Sequence, residues 1–262
     1  MKTVIVPIDF SDTSLNAAEY ATHFLAGHSG IEIILYHCYE MEYGDENALE
    51  NLENLKNRLL NIAPLEFTLH VEQSDEFLEE LEKLARHRKA DLIIMGITGG
   101  RSKREQRFMG SNTLKLTESK YIPVLIVPEN SKYIGMKNVL LATDLKDVVG
   151  TIPSAPIKMI LKEFSLSLHV INVNEEHYIA LTEEHENEKK KLSEMFSEFK
   201  PEFYFLRLFD VEEAINQFAL DKNIDLVINV HREHSLISRV FKEGHTKKLA
   251  FQSQVPLLVV HE

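Results

Sequence analysis

The sequence has little cysteine and no long apolar runs. Cys38 is its only cysteine, so the chain cannot form an internal disulfide, and we expect it to work in a reducing cytoplasm. The N-terminal apolar run in MKTVIVPIDFSD is broken by Pro7 and stopped by Asp9, which leaves it too short for a signal peptide. No stretch approaches the length of a membrane span, so the pattern predicts a cytoplasmic protein without a membrane partner.

Positive charge is also scarce. Lysine and arginine number 29 against 41 aspartates and glutamates, and the formal net charge is -12 at pH 7. Nucleic-acid binding needs clustered basic side chains to contact phosphates, so this balance argues against a nucleic-acid partner. The one basic run, RSKREQR, either contacts phosphate through Arg101 and Lys103 or forms a solvated loop.

Glycine is infrequent, yet four of the ten glycines fall in one stretch. The segment MGITGGRSKREQRFMGSNT, residues 95–113, carries Gly96, Gly99, Gly100 and Gly110. The residues alone leave two explanations open. One is a glycine turn before a helix that Ser111 or Thr113 caps. The other is a phosphate site of free backbone amides and a helix N-terminus, to which the hydroxyl of Ser111 or Thr113 would donate. The sequence has neither a Walker A loop nor a G-x-G-x-x-G motif.

Four landmarks of the first half recur in the second. VIVPIDFSD (4–12) returns as VLLATDLKD (139–147), IILYHCYE (33–40) as LHVINVNE (168–175), DLIIMGIT (91–98) as DLVINVHR (225–232), and PVLIVPE (123–129) as PLLVVHE (256–262). The shift is nearly constant, at 133 to 135 positions. We therefore predict a tandem duplication, with domains at 1–130 and 137–262.

Short β-branched runs alternate with helical patterns in each half. In the first half we predict strands at 3–8, 32–38, 66–71, 91–96 and 123–127, and helices at 13–28, 46–61, 75–89 and 110–120. Such alternation is typical of βαβ units. The predicted fold is α/β, with two tandem doubly wound domains, each an open five-stranded parallel sheet flanked by helices. The glycine segment then follows a strand, at the edge where such sheets bind ligands.

Together, PIDFSDTS, ILYHC, DLIIMGITGG, MGSNT and PVLIVP resemble the universal stress protein family, whose nucleotide-binding members carry G-x2-G-x9-G-[ST]. The resemblance implies an adenine nucleotide alpha hydrolase-like fold and a bound ATP or other adenine nucleotide, with Mg²⁺ on the phosphates. It assigns the adenosine part to Asp9, flanked by Pro7 and Ile8, and the adenine pocket wall to Cys38. It assigns the phosphates to Met95, Gly96, Gly110, Ser111 and Asn112.

The glycine spacing departs from the family pattern by one residue. Ten residues separate Gly99 from Gly110, whereas nine separate Gly100 from Gly110. The register of Gly99 and Gly100 on the phosphates therefore stays open. The second half departs further, because Val230 stands at the position of Gly96 and Lys146 at that of Ser11, although Asp144 is retained. We expect the second half to bind no nucleotide in the family's manner.

The resemblance implies a ligand-responsive stress-response module. It also implies that the halves pair through PVLIVP and PLLVVH as an intramolecular pseudo-dimer, and further homodimerisation stays open. A different hypothesis is a ligand-free interaction scaffold. An enzyme acting on the nucleotide is the weakest hypothesis, since neither a nucleophile elbow nor a Ser/His/Asp arrangement is evident, and we assign no catalytic residue.

The histidines do not require a catalytic or metal-binding role. His37 is predicted to bond to backbone at a strand end. The histidines His231, His234 and His245 have no accompanying cysteine or clear carboxylate ligand, so we predict no metal site.

Overall fold

The computed structural model describes residues 1–40, 42, 47–97, 109–117, 122–174, 181–207, 211–231 and 255–262. The chain divides into two compact units, Met1–Ile134 and Gly135–Glu262. Within the described ranges, no helix is both long enough and apolar enough to cross a membrane.

The first unit alternates strands with helices. Its strands are β1 (Thr3–Pro7), β2 (Glu32–Tyr39), β3 (Glu66–Gln73), β4 (Leu92–Ile97) and β5 (Val124–Pro128). Its helices are α1 (Asp12–Leu25), α2 (Ala48–Leu60), α3 (Phe77–Arg88) and α4 (Met109–Leu116). The strands pair in parallel in the order β3-β2-β1-β4-β5. The predicted α/β fold, a parallel sheet flanked by helices, is confirmed.

Burial follows the position of each strand in this sheet. The strands β4 and β5 are buried along their whole length, as expected for apolar runs covered on both faces. β3 lies at the edge of the unit's strand order and stays partly exposed. The helical spacing in FLEELEKLARH predicts one apolar face of α3, with Phe77, Leu78, Leu81, Leu84 and Ala85. Of these, Leu81, Leu84 and Ala85 are buried, whereas Phe77 and Leu78 are only partly buried.

The second unit repeats this plan. Its strands are β6 (Asn138–Ala142), β7 (Ser167–Asn174), β8 (Glu202–Arg207), β9 (Leu226–His231) and β10 (Leu257–His261). They pair in parallel in the order β10-β9-β6-β7-β8. Its helices are α5 (Val148–Thr151), α6 (Ser154–Glu163), α7 (Glu183–Met195) and α8 (Val211–Asp221). Where the first unit has the continuous α1, this unit has α5 and α6, because Pro153 interrupts the helix between them.

An aspartate ties the first and fourth strands together in each unit. Asp91 Oδ2 accepts the backbone N–H groups of Lys2 at 2.6 Å and Thr3 at 3.1 Å. Asp225 Oδ2 accepts those of Lys137 at 2.7 Å and Asn138 at 2.9 Å. The two units thus share this connection at matching positions.

The strand order also fixes where a ligand site is expected. In open parallel sheets, ligands bind beyond the carboxyl ends of the strands, where the order of connection reverses. That point lies between β1 and β4 in the first unit and between β6 and β9 in the second.

Candidate functional site

Several predicted site residues meet at the carboxyl edge of the first unit. Pro7 ends β1 and pairs with Tyr36 of β2. Asp9 follows the end of β1 by two residues, and Cys38 lies two residues beyond Tyr36 near the end of β2. Gly96 lies near the end of β4, the strand that flanks β1 on its other side. Asp9, Cys38 and Gly96 therefore all lie at the carboxyl ends of the neighbouring strands β1, β2 and β4.

A tight turn holds Asp9 at the start of α1. Asp9 Oδ1 accepts two hydrogen bonds from Ser11, one from the backbone N–H at 3.0 Å and one from the hydroxyl at 2.5 Å. Phe10, between them, takes a left-handed conformation with φ of 62°. Ser11 is also the N-cap of α1, because its Oγ accepts the backbone N–H of Ser14 at 3.3 Å. The carboxylate and the helix start are thus fixed by one side chain.

The predicted role of His37 is confirmed. Its Nδ1 donates to the carbonyl oxygen of Ile8 at 2.7 Å, and the Ile8 N–H donates to the Tyr36 carbonyl oxygen at the same distance. His37 is buried, and its ring lies 4.8 Å from that of Phe10. This histidine therefore braces the residue that precedes Asp9.

Cys38 occupies the partly exposed end of β2. Its Sγ donates to the Ser74 carbonyl oxygen at 3.4 Å. Burial is the main cause that raises the pKa of the Cys38 thiol above its ordinary value, and it also raises the pKa of the neighbouring Tyr36 hydroxyl. A neutral thiol of this kind is a weak nucleophile, so Cys38 can line a pocket without acting as a reactive group.

Gly96 has a packing role that the sequence did not reveal. A Cβ atom at this position would lie 2.5 Å from the carbonyl oxygen of Thr13 and 2.6 Å from its side-chain methyl group. The first turn of α1 therefore lies directly against β4, and only glycine leaves room for it. Thr113 is fully buried, and its hydroxyl donates to the Gly96 carbonyl oxygen at 3.1 Å. That hydroxyl belongs to the core, so the two roles considered for it, helix cap and phosphate donor, are both wrong.

The remaining predicted phosphate residues lie in or near α4. Met95 is fully buried in β4, and Gly110, Ser111 and Asn112 lie in the first turn of α4. Gly99 and Gly100 lie outside the described residues, as do Arg101 and Lys103.

The second unit keeps the turn but not the hydroxyl. Asn172 Nδ2 donates to the Thr143 carbonyl oxygen at 3.0 Å, as His37 does to Ile8. Asp144 Oδ1 accepts the backbone N–H of Lys146 at 3.2 Å, and Leu145 has φ of 53°. Lysine replaces the serine, so its side chain offers no hydroxyl.

The strand that corresponds to β4 also differs. Val230 in β9 stands where β4 has Gly96, and its side chain is buried. Its neighbour Asn229 is only 2% exposed, and its Oδ1 has no hydrogen-bond partner in the described part of the chain. His231 lies 5.7 Å from His261, ring to ring, but the described residues contain no group of three metal ligands. His234 and His245 fall outside them.

Sequence analysis missed the roles of Ser11, Thr13 and Thr113. The signal for Ser11 was available, because a serine two residues after an aspartate is typical of a turn closed by the aspartate side chain. The contact between Thr13 and Gly96 had no such signal, since it depends on how closely α1 approaches β4.

Comparison with known proteins identifies the first unit. The model of the universal stress protein family matches residues 1–128. A universal stress protein of Methanocaldococcus jannaschii is 28% identical over 147 residues, which span 50% of this chain and 84% of that protein.

Solved structures match the chain over a longer range. The universal stress protein from Archaeoglobus fulgidus covers 99% of this chain, and the match covers 96% of that chain, with a TM-score of 0.69 and 16% identity. At that identity the likeness shows the fold alone. A universal stress protein in complex with cAMP is 25% identical and covers 49% of this chain and 98% of that chain. Its TM-score of 0.41 is too low to support a conclusion about this chain.

Proposed function

We propose that this chain, whose residues 1–128 match the model of the universal stress protein family, binds an adenine nucleotide in its first unit. The ligand we expect is ATP with Mg²⁺ on its phosphates. Bound nucleotide would stabilise the segment at 95–113 and change the surface that the unit offers to a partner. The chain would then act as a ligand-responsive stress-response module.

The geometry of Asp9 carries this proposal. Its Oδ1 is held by Ser11, whereas its Oδ2 makes no hydrogen bond within the described residues. A carboxylate presented in this way at the carboxyl end of a parallel strand can accept hydrogen bonds from ribose hydroxyls. Cys38, whose thiol is neutral, would form part of the adjoining base pocket.

The start of α4 is suited to the phosphates. The first backbone N–H groups of a helix have no partner inside it, and they attract anions. Gly110 lies in this turn, with Ser111 and Asn112 beside it. Because Thr113 is bonded to Gly96, this helix start is fixed to the end of β4. The adenosine and phosphate parts of the ligand would thus meet on opposite sides of Gly96.

We propose that the second unit does not hold a nucleotide in this manner. Asp144 keeps its turn, but Val230 adds a buried side chain where the first unit has none. The chain would therefore bind one nucleotide.

Calorimetric titration with Mg-ATP tests the proposal. Gly110→Val should abolish binding, because its side chain would cover the backbone amides at the start of α4. Gly244 stands 134 positions after Gly110, within the shift of the repeat. Gly244→Val is therefore the matched control in the second half and should bind as wild type does. Unchanged affinity in Gly110→Val would contradict the assignment.

A ligand-free scaffold remains the second candidate, and one observation favours it. The packing of Thr13 against Gly96 accounts for one glycine of the cluster without any ligand. This candidate predicts no rise in melting temperature on adding Mg-ATP. The nucleotide proposal predicts a stabilisation of about 2.7 kcal/mol when the ligand is at one hundred times its dissociation constant.

A further inference from the structure

Ser11 touches Asp9 through two groups at once. Its backbone N–H lies 3.0 Å from Asp9 Oδ1 and its hydroxyl oxygen 2.5 Å from the same atom. Both bonds converge on one carboxylate oxygen, so they hold Oδ1 against Ser11 and direct Oδ2 away from it. Hydrogen bonds to an ionised group are also stronger than those between neutral partners.

The two units separate the contributions of the two bonds. Asp144 receives the backbone bond from Lys146 at 3.2 Å and keeps the same left-handed residue between them. In the second unit no hydroxyl reaches the aspartate from the residue two positions on, although Thr143 Oγ1 accepts the Leu145 N–H at 3.1 Å in the same turn. In the first unit the Ser11 hydroxyl adds a second, shorter bond to Asp9 Oδ1.

We infer that Ser11 is a positioning residue for nucleotide binding, because it turns the Asp9 carboxylate so that Oδ2 faces the ligand. This inference rests on the proposed function. Without the hydroxyl, a single bond would leave the carboxylate free to rotate about its side-chain torsions. The ligand would then have to order the carboxylate as it binds, which weakens affinity without removing any group that touches the ligand.

The test must separate this role from the helix cap that Ser11 also provides. Ser11→Ala and Ser11→Gly both remove the hydroxyl, but alanine at an N-cap is far more destabilising than glycine. Ser11→Thr keeps the hydroxyl. Lys146→Ala, at the counterpart position of the second unit, is the matched control. Each purified full-length variant is titrated with Mg-ATP, and its unfolding by urea is measured in parallel.

We expect Ser11→Ala and Ser11→Gly to bind Mg-ATP about tenfold more weakly, the order expected for one hydrogen bond to a charged group. The two variants should lose the same amount of affinity, although Ser11→Ala should unfold at a lower urea concentration than Ser11→Gly. Ser11→Thr and Lys146→Ala should bind as wild type does. In an Asp9→Asn background, Ser11→Gly should weaken binding by much less than in the wild type, because the amide offers no charged oxygen for the hydroxyl to orient.

Wild-type affinity in Ser11→Gly would overturn the inference while leaving the proposed function intact. The inference would also be overturned if the Mg-ATP affinities of the Ser11 variants fell in the same order as their urea midpoints. It would be overturned too if Ser11→Gly weakened binding as much in the Asp9→Asn background as in the wild type. Absence of Mg-ATP binding by the wild type would overturn the proposed function and this inference together.

Discussion

The carbonyl oxygen of Thr13 lies where a side chain on Gly96 would have to be, 2.5 Å from the position of a Cβ atom. This contact joins the first turn of α1 to the end of β4. On the same residue, the hydroxyl of Thr113 bonds to the Gly96 carbonyl oxygen. The turn that carries Asp9 and the helix that carries Gly110 are therefore both packed on one glycine.

Gly96→Ala should destabilise the first unit. The backbone of Thr13 cannot move without shifting α1, so the added methyl group should cost about 1–3 kcal/mol of unfolding free energy, as overpacking usually does. Urea unfolding of the full chain measures the loss. Gly150→Ala is the control, because the nearest atoms to its Cβ belong to the carboxylate end of the Asp147 side chain, which can rotate away, rather than to backbone. Equal stability of the Gly96→Ala and wild-type chains would show that α1 lies further from β4 than the structure places it.

Thr113→Val should destabilise the chain by a different route. Valine has a similar shape but leaves the Gly96 carbonyl oxygen without its buried donor, which costs about 1–3 kcal/mol. Thr113→Ser keeps the hydroxyl, so its free energy of unfolding should fall by less. Urea midpoints of the three chains give the comparison, and a Thr113→Val midpoint equal to that of wild type would contradict the bond.

The second unit should show an acid-sensitive contact at Glu188. Lys191 donates to Glu188 Oε1 and the Val148 N–H donates to Oε2 at 2.8 Å, and these bonds lower the pKa of Glu188 below its ordinary value of 4.5. A carboxyl whose pKa is lower in the folded state stabilises the fold above its unfolded pKa, and this contribution is lost as pH falls through the folded pKa.

Glu188→Gln should therefore lower the unfolding free energy near neutral pH, and its difference from wild type should shrink as pH falls below the ordinary glutamate pKa of 4.5. Urea unfolding across this range measures both. Glu186→Gln, which removes a more exposed pairing with Lys189 at 3.7 Å, is the control and should change little. A difference that grows toward acid would reverse the predicted sign.

The sequence predicted the fold well because its signals are local. Short apolar runs such as DLIIMGIT predicted strands, and regular spacing in FLEELEKLARH predicted the buried face of α3. The bond from His37 to the backbone was also predictable, since a polar residue at a buried strand end needs a partner.

The site was less predictable where it depends on distance across the fold. Thr113 follows the glycine motif directly and looks like a phosphate donor, but it lies on the inner side of α4 and bonds to Gly96. Gly96 looks like part of a phosphate cradle, and the approach of α1 adds a packing reason for it. Sequence spacing does not reveal which face of a short helix is turned inward or how closely two elements pack.

The most direct test of the account is to identify and count what the purified chain holds. Small molecules released by heat from freshly purified wild-type protein would be identified by mass spectrometry and expressed as moles per chain. The account predicts one adenine nucleotide per chain, absent from Gly110→Val. No nucleotide in the wild type, together with no rise in melting temperature on adding Mg-ATP, would contradict it.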